Sequence, residues 1–141
     1  MAYKNSLADI PIRVVSVQTD TLALAKTLLH ELHALLKTLL ETGQNGALDL
    51  RALPPLGKEG YKFLKDQLGV GEVNACIQSF GRSEIQETAF SGIWWVTHYN
   101  QEEGLLTELI EVNFLPEILK TPKEDVLLAE IGLSKLLSEL T

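Results

Sequence analysis

The chain has 141 residues, 45% apolar and 22% charged, a balance that fits one folded domain and excludes a disordered one. Its formal charge is −7 and its 12 Lys and Arg are scattered, which excludes the basic footprint that nucleic acid or an anionic membrane requires. The single cysteine, Cys76, cannot form an internal disulfide, and there is neither a signal-peptide core nor a run of roughly 20 apolar residues, so the expected address is the cytoplasm.

Residues 1–18 read as an extended arm or edge strand, with Ile and Val alternating from Ile12 to Val17 after Pro11. From Thr21 to Glu41 the apolar positions, Leu22 through Leu40, project into an arc of roughly 160° on a helix. Lys26, His30, Glu31, His33, Lys37 and Glu41 fall outside that arc, and Gly43 supplies a stop. Ala47 to Leu50 reads as a short strand before a turn at Pro54-Pro55. A second helix follows over Lys58 to Leu68, with Tyr61, Leu64 and Leu68 on one face and Gly69 as its cap.

Beyond Gly71 the period shortens toward two. Four strands are predicted, Glu72 to Ser79, Glu84 to Ala89, Ile93 to Tyr99 and Leu105 to Asn113, joined around Gly81, Ser91-Gly92 and Asn100 to Gly104. Connections this short make the strands an antiparallel meander, because parallel crossovers have no room. A helix then starts with Thr121 as N-cap, Pro122 at the first position and Glu124 in the first turn. Val126, Ala129, Leu133, Leu136, Leu137 and Leu140 form one stripe of it; Leu127, Leu128 and Ile131 project to another side, and Gly132 interrupts it at a cost of about 1 kcal/mol relative to Ala. The expected fold is one α+β domain over residues 1–141: a four-stranded antiparallel meander, with helices before and after it packed on one face.

Trp94 and Trp95 carry the most informative constraint. Neighbours on a strand point to opposite faces, so one indole faces the helices and the other faces away, into either a satellite core under a loop or a binding surface. Which is which stays open. The candidate partner-binding residues are therefore Trp94, Trp95, His98 and Tyr99.

Chemistry has less to stand on. His30 and His33 bracket Glu31 at a spacing that could ligate a metal, but they lie on the polar face, with only His98 and Cys76 as further soft ligands. Glu84 and Glu87 are three apart on a strand and point to opposite faces. Gly69-Val70-Gly71 leaves a helix and enters a strand, the reverse of a phosphate cradle. No cofactor is expected.

Several segments resemble successive signatures of the HupH/HyaF hydrogenase expression and formation proteins, in their C-terminal domain. They are Leu28 to Gly43 (LLHELHALLKTLLETG), Leu48 to Pro54 (LDLRALP), Gly69 to Ala75 (GVGEVNA) and, most specifically, Ser83 to His98 (SEIQETAFSGIWWVTH). Glu111-Val112 and Pro116 to Leu119 (PEIL) follow in register. Ser91 stands where the family often has proline, which bears on the stiffness of that turn, and family members commonly carry a longer N-terminal region. The resemblance implies a non-catalytic, chaperone-like assembly factor in nickel-iron hydrogenase maturation. It would act on the small subunit before export, with a thioredoxin-like maturation protein as a further partner; a homodimer is left open. The alternative class is a small-molecule or metal-binding enzyme using His30, His33, His98 or Cys76.

Overall fold

The computed structural model describes residues 2–141, with side chains described from Leu22 onward. Helix α1 (Ala2–Thr42) buries Ala25, Leu28, Leu32 and Leu39 and leaves His30, Glu31, His33 and Lys37 in water, as the apolar arc requires. Gly43 ends it with φ 77°, its N–H donating to the Leu39 carbonyl at 2.8 Å. The bounds of α1 take in Ile12 to Val17, where alternation predicts an extended run. The side chains of that run, and of the arm expected over residues 1–18, lie outside the described residues.

After strand β1 (Gly46–Asp49), helix α2 (Gly57–Leu68) lays Gly60, Leu64 and Leu68 inward and closes at Gly69, whose N–H donates to the Lys65 carbonyl. Strands β2 (Asn74–Gln78), β3 (Arg82–Glu87), β4 (Ile93–Tyr99) and β5 (Leu105–Val112) then form the expected meander. The sheet nevertheless has five strands, not four, in the order β1-β5-β4-β3-β2, all neighbours antiparallel. The short strand foreseen at Ala47 to Leu50 joins it, pairing Gly46 with Val112 through Asp49 with Leu109. The physical reason is that the outer edge of β5 carries backbone groups needing partners, and β1 satisfies them.

One face of the sheet receives α1 and α2, which close over Ile93, Trp95, Ile110 and Val112. The opposite face holds a smaller cluster of Ile85, Trp94 and Val96, with Leu109 and Leu119 against it. Its cover is the segment 113–120, which contains a single 3-10 turn, Glu117–Leu119. The buried Glu111 carboxylate fastens this segment by accepting from the Glu117 N–H at 2.9 Å and from Asn113 Nδ2 at 3.1 Å. Lys120, and after it Asn113, donate to the Glu117 carboxylate and hold its pKa below the ordinary value.

The C-terminal helix corrects two expectations. Helix α3 (Lys123–Leu140) does not pack on the sheet: none of its residues is buried, and both core clusters are built without it. Nor does Thr121 cap it. Pro122 occupies the cap position, with φ −60° and ψ 146°, and its carbonyl accepts from the Asp125 and Val126 N–H groups at 3.1 and 3.2 Å. Proline's fixed φ serves an extended cap residue as well as a first helical residue, which is why the local signal is off by one. Thr121→Ala should therefore leave stability within about 0.5 kcal/mol of the parent. A fall of about 1 kcal/mol in chemical denaturation, the usual loss of a side-chain cap, would contradict this geometry.

Candidate protein-binding surface

Both indoles of the tryptophan pair are buried, Trp94 at 6% and Trp95 at 5% exposure, so of the two readings left open for the away-facing indole the exposed one is not found. The away-facing indole is a satellite core under a loop. Trp95 lies under α2 and meets the Tyr61 ring edge-on, with centroids 5.5 Å apart at 83°. Its Nε1–H donates to Glu108 Oε2 at 2.6 Å, and the Tyr61 hydroxyl donates to the same oxygen at 2.5 Å. Lys65 Nζ stands 4.6 Å from the Trp95 ring centroid, a cation over an aromatic face. Trp94 solves the same problem on the other side, donating to the Asn113 carbonyl at 3.0 Å. Among the described residues no buried side-chain nitrogen or oxygen lacks a partner.

His98 and Tyr99 lie at the other end of β4, about 13 Å along the strand from Trp94. Both are half-buried. His98 Nδ1 and Ser83 Oγ are 2.8 Å apart, and the Arg82 guanidinium stacks 4.1 Å from the Tyr99 ring centroid. The four proposed residues thus share a strand without forming one patch. His30 and His33 are exposed on α1, Cys76 is exposed on β2 and His98 sits on β4. No group of three or more His, Cys, Asp or Glu among the described residues could hold a metal ion. Glu84 and Glu87 do point to opposite faces, opposite Thr97 and Trp94 respectively.

The structure gathers apolar surface elsewhere, around the turn between β3 and β4. This turn is fixed from both sides. Thr88 Oγ1 donates to the Phe90 carbonyl at 3.1 Å and accepts from its N–H, and Gly92 adopts φ 95°. The loop Gly69 to Val73 packs on it, with the Ala89 N–H donating to the Leu68 carbonyl and the Gly71 N–H to that of Glu87. Glu87 Oε1 accepts from the Glu72 N–H at 3.0 Å. A Cβ on Gly71 would stand 2.4 Å from the Thr88 carbonyl oxygen, so this approach requires glycine. Two segments that resemble family signatures, Gly69 to Ala75 and Ser83 to His98, are here one structural unit.

Beside that turn lies a cavity of about 490 Å³ lined by Leu36, Leu39, Leu40, Gly92, Trp94 and Phe114, with Glu87 and Ser91 as polar edges. Leu40 and Phe114 at its rim are 82% and 70% exposed. On the other side of the turn a cavity of about 270 Å³ is lined by Leu29, Leu36, His33, Phe90 and Ile93, among others. Neither Leu40 nor Phe114 is singled out by sequence reasoning. The available signal for Leu40 is its position at the extreme edge of the helical arc, and for Phe114 its place just past the last strand residue.

A model of the HupH hydrogenase expression protein, C-terminal conserved region, matches residues 22–140. The chain belongs to the HupH family. Its relatives include the hydrogenase expression/formation proteins HoxQ of Azotobacter vinelandii, 32% identical over 75 residues, and HupH of Rhodobacter capsulatus, 32% identical over 83. Those matches take in 53% and 57% of this chain but 26% and 30% of the relatives, so the chain spans under a third of their length. The solved structure of the hydrogenase expression protein HupH from Thiobacillus denitrificans is 40% identical. It superposes with a TM-score of 0.77, over 82% of this chain and 95% of that one. For a HupH domain, the turn and its two cavities are thus built largely from the segments that carry the family resemblance.

Two outcomes follow from the indole environments. Trp94→Ala and Trp95→Ala should each lower stability by roughly 3–5 kcal/mol in chemical denaturation, since both empty a packed site; a loss under about 1 kcal/mol for either would place that indole in water. Burial, and then the Glu108 carboxylate, push the Tyr61 phenol pKa up. A folded-state pKa above the unfolded value of about 10 means this contribution is intact below pH 10 and is lost as pH climbs through the folded-state value. Tyr61→Phe should accordingly show a shallower loss of stability above pH 10 than the parent, measured by denaturation across the alkaline range, and parallel curves would contradict the assignment.

Proposed function

We propose that this chain is a non-catalytic assembly factor of nickel-iron hydrogenase maturation, acting as a chaperone in the cytoplasm and binding the hydrogenase small subunit before export. A thioredoxin-like maturation protein is a second partner in this reading. Hydrogenase expression/formation is what the relatives' names carry, and the surface supplies the mode of action. The observation that bears most weight is the open apolar cavity at the β3–β4 turn, rimmed by the exposed Leu40 and Phe114. A concave apolar site with few polar edges takes an apolar side chain from a partner, and aromatic rims are where protein interfaces concentrate their energy. Trp94 lines it and is fixed by the bond to the Asn113 carbonyl, which lowers the ordering cost of binding at that side chain. The dispersed positions of His30, His33, His98 and Cys76 favour this reading over metal or thiol chemistry.

Co-expression with the hydrogenase small subunit and affinity recovery of the complex tests it. Leu40→Asp and Phe114→Asp should each reduce the recovered subunit roughly tenfold or more. Phe80→Asp, at the exposed turn between β2 and β3, should leave it unchanged. Equal recovery with all three variants would remove the cavity from the interface.

A further inference from the structure

Helix α3 is the least explained part of the molecule. Eight of its large apolar side chains stand 48% to 72% exposed. Together they present on the order of 800 Å² of apolar surface, the share that one partner contributes to a standard interface. The area is divided between two sides of the helix, and the larger share, roughly 500 Å², lies at the upper end of the about 300–600 Å² of the largest apolar patch on a typical monomer. Nor is the helix amphipathic in the ordinary sense. A long stripe through Val126, Leu133, Leu136, Leu137 and Leu140 runs its whole length, and Leu127, Leu128 and Ile131 project from another side. A helix apolar on two sides is one that is buried on two sides.

We infer that α3 is a dimerisation arm, and that its apolar surface is covered by a second copy of this chain. Among the described residues nothing covers it. One sheet face is taken by α1 and α2, the Trp94 end of the other by the segment 113–120, and α3 buries no residue on either. The linker to it is extended: Lys120 and Pro122 have ψ 128° and 146°, and proline holds the preceding Thr121 extended as well. Short extended linkers of this kind carry exchanged elements in intertwined dimers.

A second copy fits better than a client protein for two reasons. The helix is fully formed in the chain alone, and an apolar area of this size needs constant cover. A two-fold pair of arms lays each long stripe against its mate's, a self-complementary contact that closes on itself. Gly132 fits the same picture. It weakens the helix, yet in the monomer nothing lies within 4 Å of where its Cβ would stand. At a crossing of two α3 helices the missing side chain permits close approach.

Light scattering coupled to size exclusion, at tens of micromolar chain, should give twice the 15.6 kDa monomer mass. The double variant Leu133→Asp, Leu137→Asp should give the monomer, with the near-ultraviolet circular dichroism of Trp94 and Trp95 unchanged. Should that variant fail to fold, Leu133→Ala with Leu137→Ala should weaken dimerisation at least about tenfold by sedimentation. A monomeric parent overturns the inference, and so does a variant that stays dimeric. An unchanged monomer mass together with a lower melting temperature in the variant also overturns it, since α3 would then pack on its own body. None of these measurements involves a hydrogenase subunit, so their outcome is independent of the proposed client.

Discussion

Adjacent residues on a strand cannot share a face, so Trp94 beside Trp95 on β4 obliges the fold to build apolar cover on both sides of its sheet. Each indole also brings an N–H that must be paired once buried. The next strand and the chain just beyond it answer both needs. Glu108 on β5 accepts from Trp95 on the helical side, and the Asn113 carbonyl accepts from Trp94 on the other. Glu111, three residues beyond Glu108 and therefore on the opposite face, fastens the segment that covers Trp94. A chain of this size thus has two unequal cores, and the smaller depends on a loop held by a buried carboxylate.

Much of this frame is legible in the sequence because it is locally determined. The arc of α1, the glycine stops at Gly43 and Gly69, and β4 from Ile93 to Tyr99 are matters of period and backbone freedom, and they stand where those signals put them. The opposition of Glu84 and Glu87, and of the two indoles, follows from pleat alone. What local signals cannot supply is partnership. A four-residue strand at Gly46–Asp49 can be foreseen, but not that the edge of β5 recruits it as a fifth strand. The strong Thr-Pro-x-Glu signal places a helix start within a residue, yet says nothing of whether the helix finds a surface to lie on.

The candidate surface is hidden from sequence for the same reason. Leu40 shares its arc with Leu28, Leu32 and Leu39, and only the packed structure shows that the arc's edge escapes the core. Sequence leaves the away-facing tryptophan open between a satellite core and a binding surface because no local signal shows what covers that sheet face. The segment 113–120 is too irregular to be recognised as a layer, and its anchors are hydrogen bonds between side chains and backbone. Displaced from Trp94 itself, the exposed aromatic surface reappears at Phe114, the first residue after the carbonyl that pairs that indole.

The two surfaces proposed for partners differ in the physics of their occupancy. The cavity beside Trp94 is small and bordered by polar groups, and its empty state costs little, which suits a partner that comes and goes. The arm does not allow that. At about 25 cal/mol per Å², an area on the order of 800 Å² corresponds to up to about 20 kcal/mol of gross transfer free energy per copy. The loss of translational and rotational freedom on association is about 4–15 kcal/mol. Both figures are gross, so area alone fixes no affinity, but a client released at the end of each maturation cycle would leave the arm exposed every time. A second copy stays. In that arrangement the dimer would carry two cavities, each on its own body, and pairing through α3 would raise the effective concentration of the second site once a client holds the first.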